Sequence, residues 1–294
     1  MDVRQLRSFV AVAEESHFTR AAERLGIKQS SLSTQVRLLE QEVGLPLFDR
    51  TTRRVALTDA GAFLLARARA VIADIDDTAS ELKGMTGDLS GRVRIGLTTT
   101  IGCVDVIGLL ANFHRRHPLV ELAVVEDLSV HLAVQLRDGR LDIGILSVTP
   151  SDELRGLEVE PFAQEELVLV VPKGHRLAQI DEASVDDLKD IDLVLPPAGA
   201  TIRTAVENAA RLSGWAPRVA CESVHVDRMT ALVAARLGVG VLPRSDAQAH
   251  SGEAVEIVAL ANPSLTHDLA ICWRSRRMFP PQVRALLEHA RRLS

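Results

Sequence analysis

Cysteine is scarce in this 294-residue chain, which has three: Cys103, Cys221 and Cys272. They stand 118 and 51 residues apart, too far for a CxxC unit, and their odd number does not suit a disulfide framework. Buried, inert thiols in a reducing cytoplasm are the expectation. No apolar stretch nears the roughly 18 residues that a membrane span requires. The start, Met1-Asp2-Val3-Arg4-Gln5, has no charged segment leading into an apolar run, so no membrane partner or export is expected. A general excess of positive charge is missing too. With 34 Lys and Arg against 39 Asp and Glu, the net charge of −5 excludes a histone-like or ribosomal body. Glycine (18) and proline (12) are sparse and 47% of residues are hydrophobic, so disorder and collagen-like structure drop out.

Catalytic signatures are missing as well. There is no GxSxG, Walker loop, HExxH or paired-cysteine metal site, and Gly238-Val239-Gly240 runs into Val241-Leu242-Pro243 instead of completing a dinucleotide fingerprint. His114-Arg115-Arg116-His117 places two imidazoles three residues apart, but its basic neighbours favour a solvated helix end over a zinc site. No catalytic residue, metal or cofactor is therefore expected.

Charge is distributed unevenly. The first seventy residues carry 11 basic and 8 acidic side chains, whereas residues 71–90 carry 1 and 5. Asp2 with Gln5 makes a capping box, and Leu6, Phe9, Val10 and Ala13 follow at helical spacing. That first helix should end near Glu14 or Glu15. A second helix carries Phe18, Ala21, Ala22 and Leu25 on one side and stops at Gly26, where a left-handed backbone is needed. A third starts after Gln29, capped by Ser30 or Ser31, with Leu32, Val36 and Leu39 inward and Gln29, Ser33, Thr34 and Arg37 outward. Helix, short glycine turn, helix is the helix-turn-helix pattern, whose second member enters the DNA major groove. Gln, Ser, Thr and Arg have the right chemistry for base edges. The segment from Gly44 to Thr58 then reads as a hairpin whose tip gathers Arg50, Arg53 and Arg54, suited to phosphates or a narrow minor groove. Its bland alternative is a solvated charged loop.

From Phe18 to Gly61 the chain resembles the winged helix-turn-helix of LysR-type transcriptional regulators. The match rests on Phe18-Thr19, Ala21-Ala22, Leu25, Gln29, Ser33, Leu39-Glu40, Gly44, Leu47-Phe48, Arg50, Leu57-Thr58 and Gly61. Ser30 stands where the family usually has Pro, and Thr34 where it often has Arg, which alters a common DNA contact. The resemblance extends loosely over the rest of the chain.

Residues 58–84 read as one long helix capped by Thr58. Leu64, Ala68, Val71, Ile75, Thr78 and Leu82 follow the steps of a two-stranded coiled-coil seam; packing on the helix's own domain is the alternative. The resemblance implies dimerisation through this linker helix, with tetramers formed by further contacts and RNA polymerase as a partner. Gly84 to Gly91 reads as a hinge. Beyond it, β-rich runs such as 93–97, 120–125, 141–146, 167–171 and 239–242 alternate with helical stretches, predicting α/β units with a largely parallel sheet. The family resemblance implies two α/β subdomains like those of type 2 periplasmic solute-binding proteins, joined by crossovers near Glu160–Glu165 and Leu260–Asp268. The expected domains are a winged helix-turn-helix at 1–58, a linker at 59–90 and an effector-binding domain at 91–294. Within the last, subdomain I takes 91–162 and 267–294, and subdomain II takes 163–266.

Ligands of open α/β sheets bind beyond the carboxyl ends of strands, where helix starts offer free N–H groups. Thr98-Thr99-Thr100, Ser129 and the stretch from Pro196 to Thr201 occupy such positions, and hydroxyls with exposed amides suit a small organic anion. The expected contacts are Thr99, Thr100 and Ser129, favoured by their position in the family, together with Thr201, Arg203 as a charge partner and Val241. Ordinary N-capping explains each Ser or Thr equally well on its own. The expectation is thus a DNA-binding regulator that answers to a small molecule and recognises a double-stranded operator. Its rivals are an effector-independent architectural DNA binder and a solute-binding or catalytic protein with an N-terminal interaction domain.

Overall fold

A computed structural model describes residues 1–51, 54–84, 89–149, 154–261, 263–275 and 279–292; side chains at 50, 51, 54, 77, 80, 81, 83 and 84 are not described. The chain divides into two compact units, the first built chiefly on residues 1–87 and the second chiefly on the remainder.

In the first unit, α1 (Val3–Glu15), α2 (Phe18–Leu25) and α3 (Gln29–Val43) are followed by the strands β1 (Phe48–Thr51) and β2 (Arg54–Leu57) and the long α4 (Asp59–Gly84). The Asp2–Gln5 capping box forms, with both reciprocal bonds at 2.8 Å. Gly26 adopts φ +64°, and the amides of Gly26 and Ile27 close on Glu23 and Ala22, turning the chain within a few residues. So tight a turn moves the start of α3 forward. The helix begins at Gln29 with Lys28 as an N-cap lacking a side-chain bond, and Ser30 and Ser31 fall inside its first turn instead of capping it. Glu40 accepts the amides of Leu47 (2.9 Å) and Phe48 (3.3 Å), fixing the hairpin to α3. Thr58 caps α4 through the Gly61 amide at 3.0 Å. A methyl on Gly61 would lie 2.1 Å from the Leu47 carbonyl oxygen, so only glycine fits there.

The core of this unit holds Leu6, Phe9, Val12, Ala21, Leu32, Val36, Leu39, Leu47 and Ala68. Ala68, with the partly buried Leu64, corrects the linker reading: the first half of the expected seam packs against the helix's own domain. The exposed apolar stripe runs instead through Phe63 (70% exposed), Val71, Ile75 and Leu82. Arg67 lies over the Phe63 ring, 5.8 Å from its centroid.

The second unit contains β3 (Gly91–Thr98), α5 (Val106–Arg116), β4 (Val120–Asp127), α6 (Ser129–Arg137), β5 (Ile143–Val148), β6 (Leu157–Pro172), β7 (Glu182–Ala183), β8 (Asp192–Leu195) and α7 (Thr201–Leu212). These are followed by β9 (Arg218–Glu222), α8 (Val226–Ala234), β10 (Val239–Pro243), α9 (Arg244–His250), β11 (Val255–Leu260), β12 (Thr266–Arg274) and α10 (Pro281–Ala290). The main strand order is β4-β3-β5-β12-β6-β10-β8-β9, with β11 and β7 attached beside β6. Strands β4, β3 and β5 run parallel, as do β10, β8 and β9, making two α/β lobes. Between them, β6 is one continuous strand of 16 residues. Its stretch 157–166 pairs with β12, and its stretch 167–172 pairs with β10 and β11. The lobes therefore share a strand, and the change of lobe falls a few residues beyond the expected boundary at 162/163.

Asp142 anchors the first lobe. Only 2% exposed, it accepts the Arg94 amide at 2.6 Å and the guanidinium at 2.7 and 3.2 Å. Replacing Asp142 with Ala leaves Arg94 without its buried counter-charge and should lower unfolding free energy by on the order of 3–5 kcal/mol in urea denaturation. A loss under about 1 kcal/mol would mean that the pair does not anchor the lobe.

Candidate nucleic-acid interface and effector cleft

Helix α3 turns an exposed edge outward at Gln29, Ser30, Thr34 and Arg37, with Ser33 half-buried beside them. Leu32, Val36 and Leu39, all fully buried, pin the opposite face to α1 and α2. Thr34 folds its hydroxyl back onto the Ser30 carbonyl at 2.9 Å. Thr19, on α2, donates to Gln29 at 3.3 Å, holding the first side chain of the helix. In the hairpin Arg50 pairs in register with Val55, and Thr51 with Arg54. Arg53 lies outside the described residues.

In the second unit, strand ends and helix starts converge between the lobes. Thr98, Thr99, Thr100 and Ser129 come from the first lobe; Pro196, Ala200, Thr201, Ile202, Met229 and Leu242 come from the second. They enclose a cavity of about 20 Å³, room for a single water. Helix α7 starts at Thr201 with no side-chain cap, which leaves its first-turn N–H groups for whatever occupies the cleft. Among the described residues that wall the cleft none is charged.

Four of the six expected effector contacts, Thr99, Thr100, Ser129 and Thr201, thus meet at one place. Two do not. Arg203 is drawn off by Glu207 and by Glu222 (3.2 Å), and its guanidinium also bonds the Pro196 carbonyl at 3.3 Å. Its charge is already matched outside the cleft. Val241 is fully buried in the core of the second lobe, and the wall residue is its neighbour Leu242, because successive side chains of a strand point to opposite faces.

The structure adds two groups that sequence reasoning passed over. Ser147, near the end of β5, gives its amide to the Ser129 hydroxyl at 2.9 Å, while that hydroxyl donates to Thr98 at 3.2 Å. His267, 2% exposed, has Nε2 2.9 Å from the Thr100 carbonyl oxygen and Nδ1 3.2 Å from the Ser147 hydroxyl. Ser147 in turn bonds Thr201 across the cleft. Burial lowers the His267 pKa, which keeps the ring neutral. Ser147 was detectable as a hydroxyl breaking an apolar strand; His267 left no such signal.

The cysteines correct another expectation. Cys272 is buried and Cys221 partly so, but Cys103 is exposed. Burial pushes the Cys272 thiol up to about 12; partial desolvation, with a hydrogen bond to the Glu165 carboxylate, does the same for Cys103.

Residues 3–62 match the bacterial regulatory helix-turn-helix proteins of the lysR family, and residues 86–294 match the LysR substrate binding domain. The chain belongs to the LysR family. It is accordingly a DNA-binding transcriptional regulator with an effector-binding domain, and not an enzyme. Among its relatives is the regulator ShiR of Corynebacterium glutamicum, 38% identical over 244 residues that cover 82% of this chain and 81% of ShiR. A probable hydrogen peroxide-inducible genes activator of Mycobacterium leprae is 34% identical over 247 residues, 84% of this chain and 79% of that protein. A full-length OxyR variant from Pseudomonas aeruginosa superposes with TM-score 0.76 at 28% identity, covering 100% of this chain and 96% of its own. CbnR in complex with its target DNA, 24% identical, shares the fold at TM-score 0.68 over 100% of both chains. No helix among the described residues is long and apolar enough to cross a membrane.

With pKa values near 12, the Cys103 and Cys272 thiols are almost wholly protonated at pH 7.5. Iodoacetamide should therefore label exposed Cys103 at least a hundredfold more slowly than free cysteine, since only thiolate reacts. Mass spectrometry of timed samples checks this, and a rate equal to that of free cysteine would contradict it.

Proposed function

We propose that this LysR-type regulator reads an operator through α3 and responds to a small organic anion held between its effector lobes. The assignment of residues 1–58 to DNA binding, 59–90 to the linker and 91–294 to effector binding belongs to this reading. On DNA, Gln29, Ser30, Ser33, Thr34 and Arg37 address base edges, and Arg50, Arg53 and Arg54 address phosphates or the minor groove. Two copies joined through α4 bring two such helices to a pseudo-palindromic site. The free stripe through Phe63, Val71, Ile75 and Leu82 serves that contact. Along α4, Arg67 and Arg69 lie in the first half, whereas Asp74, Asp76, Asp77 and Glu81 lie in the second. Antiparallel pairing places opposite charges side by side; parallel pairing places like beside like. Tetramers and recruitment of RNA polymerase complete the reading.

One observation carries the effector assignment: hydroxyls from both lobes and the uncapped start of α7 surround one cleft whose described wall residues are uncharged. Hydroxyls and backbone N–H groups can surround a carboxylate without a cation. A cavity of about 20 Å³ also means that the lobes must part before a metabolite enters. Peroxide chemistry, named for some relatives, does not carry over on these residues, because no cysteine lines the cleft among the described residues and two of the three thiols hold their protons tightly.

A metabolite thermal-shift panel should select small carboxylates, and calorimetry with a selected one should show Thr100→Val with Ser129→Ala losing most of the affinity. Unchanged affinity would overturn the placement. On DNA, Arg53→Ala should weaken binding to all sequences and flatten its salt dependence, whereas Gln29→Ala should relax preference at one base position, by about 1–3 kcal/mol. Matching profiles for the two mutants against an operator library would refute this division of labour.

A further inference from the structure

Beside the effector cleft, three segments meet at a second polar junction: the loop after β3, the shared strand β6 and the first turn of α9. The Glu165 carboxylate, on β6, accepts the Ser245 amide at 2.8 Å and the Ser245 hydroxyl at 2.9 Å, and the Cys103 thiol donates to it as well. Next to it, Asp246 is 5% exposed and accepts the Gly102 amide. Its second oxygen, Oδ2, has no hydrogen-bond partner among the described residues. Contact between the lobes is close here: a methyl on Gly102 would lie 2.6 Å from Asp246 Oδ1 and 2.9 Å from the Ser245 hydroxyl.

The surrounding groups neutralise this pair only in part: the Gly102 amide and the charge of His250 favour ionised Asp246, but burial and Glu165 outweigh them. Cys103 on the loop holds its proton, and Glu166 on β6 pairs with Arg244 of α9 at 2.7 Å. His250 approaches the Asp246 main-chain oxygen through Nδ1 at 2.9 Å, and the neutral His267 on β12 lies near Glu165. A buried carboxylate oxygen with no donor, beside a second carboxylate, is where a proton is retained.

We propose that a proton on Asp246 acts as a latch, holding the Gly102 loop of the first lobe against α9 of the second, and that its loss lets the lobes part. With the proton, the orphaned oxygen becomes a neutral O–H beside Glu165. Without it, the Asp246 charge is desolvated near the partly exposed Glu165, and opening relieves it by admitting water. The latch does not depend on which effector the cleft takes.

Burial, aided by the Glu165 charge, raises the Asp246 carboxyl from the ordinary 3.8 to about 6. A raised acid pKa means that the closed form binds more protons than the open or unfolded form between these values. Closure is therefore favoured as pH falls from about 6 to about 4, by at most about tenfold per pH unit. Above about 6 the closed form keeps a constant penalty.

The test follows thermal unfolding of the full chain from pH 4.5 to 8, together with hydrogen exchange at the Gly102 to Val104 amides. Asp246→Asn, a neutral mimic of the protonated acid, should melt higher than wild type at pH 7–8, and the gap should narrow as pH falls from about 6 to 4.5. Wild-type exchange in the loop, corrected for its intrinsic pH dependence, should quicken several-fold between pH 5 and 7 and stay level in the Asn variant. Glu165→Gln should move the wild-type transition to lower pH. Should Asp246→Asn fail to fold, carboxyl-carbon NMR on the wild type decides, with a titration midpoint near 6 supporting the latch and one near 4 overturning it. A melting gap independent of pH, or identical loop exchange in wild type and variant, also overturns it.

Discussion

The arrangement of the effector cleft depends on a hydrogen-bond chain whose direction is set at one end by an atom that can only accept. The Thr100 carbonyl has no proton, so His267 Nε2 must donate to it, and Nδ1 of the neutral ring is left as an acceptor. Ser147 therefore donates to Nδ1, and its oxygen receives the Thr201 hydroxyl from the opposite lobe. Two consequences follow. The Thr201 proton is already committed inward, so the anion proposed above would draw on the other hydroxyls of the cleft and on the first-turn amides of α7. An anion that captured the Thr201 proton would break the tie between the lobes, a route by which occupancy could alter lobe position with no charge among the described wall residues.

The two lobes are joined by a shared element. Strand β6 carries pairing residues of both lobes in one unbroken run, so a change of lobe angle must be taken up near Glu166 and Leu167, where its partners change. Glu165 and the Ser245 contact lie at the same place. A ligand moves such an equilibrium only by its difference in affinity for the two arrangements. The Thr201 to Ser147 bond and the contact of Gly102 with α9 both join the lobes in this structure, so parting the lobes would break both.

How much of this was legible in the residue order follows from how local each signal is. Helix α2, the turn at Gly26 and α3 are specified within about twenty-five residues, by a left-handed glycine and by apolar spacing, so they could be read directly. The seam on α4 could not. A step of three and four marks a buried face and does not say whether the burying surface is a second chain or the helix's own domain; Ala68 went to the latter and Phe63 took the outward place. That Thr99, Thr100 and Ser129 would come together was legible, because strand ends and helix starts of α/β units converge at one edge of the sheet. Arg203 was misjudged because its partners, Glu207 and Glu222, lie one turn along the helix and on a separate strand. Val241 was misjudged by one residue of a two-residue period. His267 comes from a strand that returns late in the chain, and only the assembled sheet brings it to Thr100.

The absence of a cation in the cleft wall bears on how tightly the effector can bind. A hydrogen bond to a charged group contributes roughly 1.5–3 kcal/mol net, and a helix N-terminus about 0.3–1, rising to about 2 where it is partly buried. Two such bonds with the α7 start therefore supply roughly 3–8 kcal/mol, which spans dissociation constants from millimolar to about micromolar. Parting and reclosing the lobes around the ligand subtracts from this, because apparent affinity falls by the fraction of molecules in the competent state. For the small anion proposed above, binding of this strength would let occupancy follow supply in the upper part of that range instead of saturating. An arginine in the wall would tighten the binding of such an anion further; here Arg203 is held instead by Glu207 and Glu222.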